Sequence, residues 1–350
     1  MSEINRQFLL AARPVGKIKE SDLAYHEGEI PQPEDGEVLV KVEYISLDPS
    51  MRGQMQSTVA YAAALDIGVV MRARGVGRVV ESRNPDFPEG ALVSGTLGMQ
   101  EYAIGNAKVD RFRRFPDDLD PKLVLGALGG TGITAYFGLL DVGEPKAGDM
   151  VVISGAAGAT GSVAGQIAKI KGCTVVGMAG TDEKCAWLTD ELGFDGAINY
   201  RTQDIGAELD RLCPQGIDVY FDNVGGEILD LCLDRLAHHA RVVICGGISR
   251  YNEEGELPGP KNYFNLIFFC ARMQGFLAHD YADRFDEFER IRTTGLLNRF
   301  TENRPQKIDF LVQLVRNWRV HFMIHRFVDL ISAASADAFC SGVNMRFTSD

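Results

Sequence analysis

Beyond about Val124, apolar runs of strand length alternate with stretches of helical period: "MVVIS", "CTVVGM", "GAINY", "IDVYFDN", "RVVICGG" and "MQGFL". An unbroken apolar run reads as a strand covered on both faces, and strands alternating with helices predict a doubly wound parallel sheet of six strands. The texture before Val124 is different. Short β-like runs, "EVLVKVEYISL", "GVGRVVESR" and "ALVSGTLGMQEYAI", are broken by Gly and Pro, which predicts an antiparallel, barrel-like domain. From about Asp280 the period turns helical in "RFDEFERIRTTGLL" and "IDFLVQLVRNW", and the chain closes on a short β-like tail. The expected organisation is a first domain over 1–123, an α/β domain over 124–285, and a C-terminal segment over 286–350 that returns to the first domain.

Size agrees with that division. A chain of 350 residues is long enough for two cores, since single cores stop growing near roughly 250 residues. Apolar residues make up 45% and charged residues 24%, the balance of a globular protein. The net charge of −12 argues against nucleic acid or an anionic membrane surface as partner, because both need a basic face. The opening "MSEINRQFLLAARP" lacks a continuous apolar core, and no run of membrane-spanning length follows; the expectation is a cytoplasmic protein.

Cysteine placement limits the chemistry further. The seven cysteines lack CxxC spacing, none precedes Cys173, and His26 is the only histidine in that half. Reduced thiols are expected, and the first half offers no Cys/His set for zinc. No metal site is predicted.

The stretch "SGAAGATGSVAGQIAKIKG" (154–172) carries the strongest motif. Alone, its glycines could serve only close packing of helix on strand. Here a strand precedes it, an amphipathic helix follows, and the next strand comes at βαβ distance. That context is the Rossmann nucleotide fingerprint, with Gly158 admitting the pyrophosphate to the backbone and Gly161 letting the helix sit against the sheet. The second strand then ends in Met178, Ala179 and Gly180 with no carboxylate to take a ribose hydroxyl. Lys184 follows one turn later, and its ammonium suits a 2′-phosphate, which selects NADPH over NADH. An ordinary solvated lysine is the competing reading.

With these motifs in order, "AAGATG", "GTDEK", "NYRT", "FDNVGGE", "CGGISRYN" and the early "LDPSMRGQM", the chain resembles the zinc-independent medium-chain dehydrogenase/reductases. Within them it is similar to the alkenal/one oxidoreductase branch, over about Arg6 to Asp286. The resemblance implies a GroES-like β-barrel catalytic domain beside the Rossmann domain, NADPH, and reduction of a carbon–carbon double bond conjugated to a carbonyl. It also implies cofactor contacts. Gly158, Ala159, Thr160 and Gly161 match the pyrophosphate loop, Lys184 and Tyr200 the 2′-phosphate contacts, and Asn223 a further cofactor contact. Cys245, Gly246, Gly247, Ile248, Ser249, Arg250 and Tyr251 match the loop beside the nicotinamide ribose. Phe276, Leu277 and Ala278 match a backbone contact to the carboxamide, and Asn344 an asparagine near the C-terminus.

Hydride transfer to the β-carbon of an enone leaves negative charge on the carbonyl oxygen, and a hydroxyl must meet it where no metal does. Tyr251 is the candidate donor, with the nicotinamide ribose hydroxyl as alternative. Arg52 is a second catalytic candidate, against a structural ion pair with Asp48.

Three departures from the family pattern stand out: Ser50 where a tyrosine is usual, Met99 where a tryptophan is usual, and a divergent stretch after Asp286. The first two predict an altered range of small-molecule enones. Two other functions remain open, a quinone reductase of the same superfamily and a non-catalytic NADPH-binding sensor. Apolar "LIFFCARMQGF" near the last strand offers an edge for a homodimer.

Overall fold

A computed structural model describes residues 4–56, 63–108, 112–253, 255, 258–285, 287–288 and 344–346. Two compact units divide them, one running to Gly129 and taking in the C-terminal strand Asn344–Arg346, the other beginning at Gly130.

The first unit is antiparallel. Strands β1 (Asn5–Leu10) and β2 (Leu23–Gly28) pair as a two-stranded sheet. A larger sheet holds β3 (Val38–Ser46), β4 (Arg74–Ser82), β5 (Leu92–Thr96), β6 (Tyr102–Gly105) and β7 (Arg113–Phe115). In it β3 pairs with β4 along one side, while β6 and the C-terminal strand share the other, Asn344 opposite Ser46. The side chain of Asn5 is wholly buried, donating to the Tyr102 carbonyl at 2.8 Å and accepting from its amide at 2.9 Å. That pair closes β1 onto the larger sheet. The short helices α1 (Ser50–Gln54) and α2 (Pro121–Leu125) follow β3 and β7.

The second unit is the expected doubly wound sheet. Its strands are β8 (Met150–Ile153), β9 (Thr174–Ala179), β10 (Gly196–Asn199), β11 (Ile217–Asp222), β12 (Leu236–Ile244) and β13 (Arg272–Gly275), all parallel in the order β10-β9-β8-β11-β12-β13. The order reverses between β8 and β11, where a Rossmann sheet opens its ligand crevice. Helices α3 (Gly130–Phe137), α4 (Ala159–Ile170), α5 (Asp182–Ala186), α6 (Ile205–Leu212), α7 (Gly226–Leu233) and α8 (Asn265–Phe268) belong to this unit.

Central strands carry the core. Val151, Val152, Ile153, Val175, Val219, Tyr220 and Phe221 are fully buried, and each such side chain contributes about 1.5–3 kcal/mol. Helix α4 lies close to the sheet because its inner face is small. A Cβ at Gly165 would sit 2.0 Å from the Phe194 ring, and one at Gly161 would sit 2.5 Å from the Gly155 carbonyl oxygen. No side chain fits at either position without displacing its neighbour.

Among the described residues no helix is long and apolar enough to cross a membrane. Beyond Phe288 the helical stretches expected over 284–297 and 308–318 lie outside the described residues.

Candidate nucleotide and catalytic site

The chain leaves β8 through Gly155, whose φ of +58° is a left-handed conformation that glycine adopts without strain. The Ala156 amide then donates to the Met178 carbonyl at 2.9 Å and the Gly158 amide to the Gly155 carbonyl at 3.0 Å, tying the turn to the tip of β9. Gly158 is the N-cap of α4 and gives the helix no side-chain cap. First-turn amides point out of a helix N-terminus and carry its partial positive charge, so an anion fits where the cap is missing. Gly161 is fixed by packing, and the turn at Gly158 leaves the helix N-terminus without a side-chain cap.

The tip of β9 gathers Thr181, Asp182, Lys184 and Tyr200. Met178 and Ala179 are buried, and Thr181 caps α5 by accepting from the Lys184 amide at 3.2 Å. The first carboxylate after the tip, Asp182, accepts from Asn199 Nδ2 at 2.6 Å. Tyr200 joins from the next strand end, its amide donating to the Ala179 carbonyl at 3.1 Å. Lys184 and Tyr200 thus flank one strand end.

At the end of β11 lies a group that sequence reasoning did not single out. Asp222 is fully buried, and its Oδ1 accepts from Ser154 Oγ (2.8 Å), the Tyr220 hydroxyl (2.8 Å), and the amides of Val224 and Gly225 (2.9 Å each). Burial pushes the carboxyl up from its ordinary range, while its bonds from Gly225, Val224, Ser154 and Tyr220 pull it down. Ser154 Oγ in turn accepts from the Asn223 amide at 2.9 Å, and Asn223 Nδ2 donates to the Ser154 carbonyl at 2.8 Å. The signal in the sequence was a carboxylate closing an otherwise apolar strand, "VYFD".

The loop from Cys245 to Tyr251 hangs on the same strand end. The Asp222 carbonyl accepts from the Cys245 and Gly246 amides, the Asn223 carbonyl from Ile248, and the Val224 carbonyl from Ser249. Ser249 Oγ adds a 2.6 Å bond to that last carbonyl. The Tyr251 hydroxyl accepts from the Gly247 amide at 3.4 Å, and the residue is 37% exposed. Arg250 reaches out of the loop to the Pro258 carbonyl and Glu253. Burial pushes the Cys245 thiol up to about 12, with the charge of Asp222 adding to it.

Phe276, Leu277 and Ala278 follow β13. A Cβ at Gly138 would lie 2.3 Å from the Phe276 ring, so a bare backbone seats that ring. The segment behind is braced by Arg284, which pairs with Asp141 and Glu287.

Two candidates belong to the other unit. Arg52 is 3% exposed and donates from Nη2 to the Gly16 carbonyl at 2.9 Å. Asp48 accepts from Ser46 Oγ at 3.0 Å. Asn344 pairs through its backbone with Ser46, and its side chain lies outside the described residues. Ser50 begins α1, and Met99 is 1% exposed.

Two family models match the chain, an N-terminal domain of oxidoreductase over residues 6–110 and a zinc-binding dehydrogenase over residues 159–292. Among the described residues, no group of three or more His, Cys, Asp or Glu side chains is placed to hold a metal ion. The NADPH-dependent curcumin reductase of Escherichia coli is 42% identical, over 82% of this chain and 84% of its own. The NADP(+)-dependent 2-alkenal reductase of Nicotiana tabacum is 40% identical over 81% and 84%. Among solved structures, CurA of Vibrio vulnificus in complex with NADPH superposes with a TM-score of 0.84 at 35% identity, over 99% of this chain and 100% of that one.

Proposed function

The chain belongs to the NADP-dependent alkenal/one reductase branch of the medium-chain dehydrogenase/reductases, and from that membership we propose how its own residues divide the work. It reduces the carbon–carbon double bond of α,β-unsaturated aldehydes and ketones. NADPH, when bound, supplies the hydride that reaches the β-carbon. Gly158 to Gly161 hold the pyrophosphate, Lys184 and Tyr200 the 2′-phosphate, and Asn223 with Cys245–Tyr251 the nicotinamide ribose. Phe276 to Ala278 offer backbone to the carboxamide, and Asn344 is a further contact. As charge develops on the substrate's carbonyl oxygen, the Tyr251 hydroxyl donates to it. Arg52 acts at one remove, by fixing the Gly16 carbonyl. Residues 1–123 and 286–350 form the catalytic domain in this reading, and 124–285 the cofactor domain.

One observation supports the assignment most. Gly158, Lys184, Tyr200, Asn223, Cys245 and Phe276 follow the carboxyl ends of β8, β9, β10, β11, β12 and β13 respectively, the side on which open parallel sheets bind ligands. The test is NADPH oxidation with an enone, a quinone and no acceptor. Consumption with the enone, undiminished by a chelator, is expected, because no cysteine precedes Cys173 and His26 stands alone in that half. Turnover on the quinone alone would transfer the chain to the quinone reductases. NADPH binding without turnover would make it a sensor, and loss of activity to the chelator would reinstate a metal.

The same reading places the enzyme in the cytoplasm, consistent with the free thiols of Cys173, Cys185, Cys213, Cys232, Cys245 and Cys270. It also makes the protein a homodimer. Strand β13 is the last in its sheet among the described residues, and beside it Tyr263, Phe264, Ile267 and Phe268 are 54–68% exposed. An open strand edge with an aromatic patch favours pairing with a second copy. Light scattering should give twice the 38.4 kDa chain mass, and Phe268→Glu should return a monomer; a monomeric wild type refutes it.

A further inference from the structure

We propose that Asp222 is the positioning residue of the cofactor site, holding Asn223 and the loop that carries Tyr251 in register with the pyrophosphate turn through the Ser154 hydroxyl. The proposal rests on the NADPH reading of this crevice.

The placement of the carboxylate is what asks for a role. It is fully buried at the end of an apolar strand, where an ionisable group is costly to keep. Its hydrogen bonds are all on one side. Among the described residues Oδ1 gathers four donors, while Oδ2 is buried with no partner. A carboxyl serving stability alone would be expected to satisfy both oxygens.

What Oδ1 gathers is specific to the crevice. Strands β8 and β11 are neighbours, and their chains leave in opposite directions at this point of the sheet. The Ser154 amide donates to the Phe221 carbonyl at 3.1 Å, and side chains add a second latch between the two tips. Ser154 stands on the first tip and has one hydroxyl proton. It gives that proton to Asp222 Oδ1, which leaves its oxygen to accept the Asn223 amide. Asn223 Nδ2 closes the ring on the Ser154 carbonyl.

The other two donors fix the turn that follows. Val224 and Gly225 both give their amides to Oδ1, and the chain then passes through Gly225 and Gly226 at φ of +73° and +62°. With the turn held, the carbonyls of 222, 223 and 224 present themselves to the amides of Cys245, Gly246, Ile248 and Ser249. One carboxylate oxygen thus sets three loops: the pyrophosphate turn from Ser154, the Asn223 turn, and the loop bearing Tyr251.

The test uses Ser154→Ala, Ser154→Thr, Asp222→Asn and the double variant Ser154→Ala/Asp222→Asn. Each is measured for NADPH dissociation constant, enone KM, kcat and melting temperature. Ser154→Ala should weaken NADPH about tenfold, the effect of one lost hydrogen bond to a charged group, with enone KM unchanged. Ser154→Thr, which keeps the hydroxyl, should restore binding. Asp222→Asn should weaken NADPH by a similar factor, and the double variant should be no worse than the weaker single one, because both act through one latch. Lowered melting temperatures with unaltered NADPH affinity would overturn the proposal and leave Asp222 a fold residue. Simple multiplication of the two single effects would overturn it as well. Should Asp222→Asn fail to fold, the serine and threonine variants decide alone. A wild-type protein that binds no NADPH would instead remove the cofactor reading, so the two failures are distinguishable.

Discussion

Tyr251→Phe lowers turnover on an enone by about a hundredfold, the usual cost of one lost oxyanion donor, and leaves NADPH affinity within about twofold. The Gly247 amide donates to the Tyr251 hydroxyl oxygen at 3.4 Å, a bond that uses a lone pair of the oxygen and not its proton. The residue as a whole is 37% exposed. Phenylalanine keeps the ring, and an amide in a solvated loop replaces its lost acceptor with water. Steady-state kinetics on one enone, with NADPH binding followed by fluorescence, separates the outcomes. A loss below about tenfold gives the proton to the ribose hydroxyl or to water. Weakened NADPH with turnover intact makes Tyr251 a packing residue beside the cofactor.

Lys184→Ala weakens NADPH by about ten- to a hundredfold, the range of a hydrogen bond between charged groups, and leaves NADH unchanged. The lysine sits in the first turn of α5, fixed by the Thr181 cap. No carboxylate ends β9, and Asp182 Oδ1 accepts from Asn199 Nδ2 at 2.6 Å. The ratio of the two dissociation constants is the measurement. A variant that kept the wild-type ratio would strip Lys184 of its phosphate and pass the discrimination to Tyr200.

The parallel half was legible because its physics is local. Strands buried on both faces leave unbroken apolar runs, and β8, β9, β10 and β11 lie where "MVVIS", "CTVVGM", "GAINY" and "IDVYFDN" predict them. Strand β12 starts at Leu236, five residues before "RVVICGG", because exposed His238 and His239 interrupt the apolar run while the strand continues. The pairing of β1 with β2 was not foreseen, since β2 carries the mostly solvent-facing "AYHEG". The Rossmann glycines could be assigned from spacing, and Gly161 has the packing role expected of it. Ser154 and Asp222 were invisible for a different reason. They are 68 residues apart in the chain, and neither is unusual until the sheet brings β8 beside β11.

The desolvation of the partly buried Cys245 thiol bears on how the enzyme meets its own substrates. Conjugated carbonyls are electrophiles that alkylate thiolates, and the thiolate rather than the thiol is the nucleophile. A thiol pushed up to about 12 by desolvation holds far less thiolate at pH 7 than an ordinary cysteine does. Cys173 and Cys213, both pushed up to about 11 by burial, are shifted in the same direction. If the Cys245–Tyr251 loop lies beside the nicotinamide as proposed, a thiol so disfavoured as thiolate is a poor target there for Michael addition by a conjugated carbonyl.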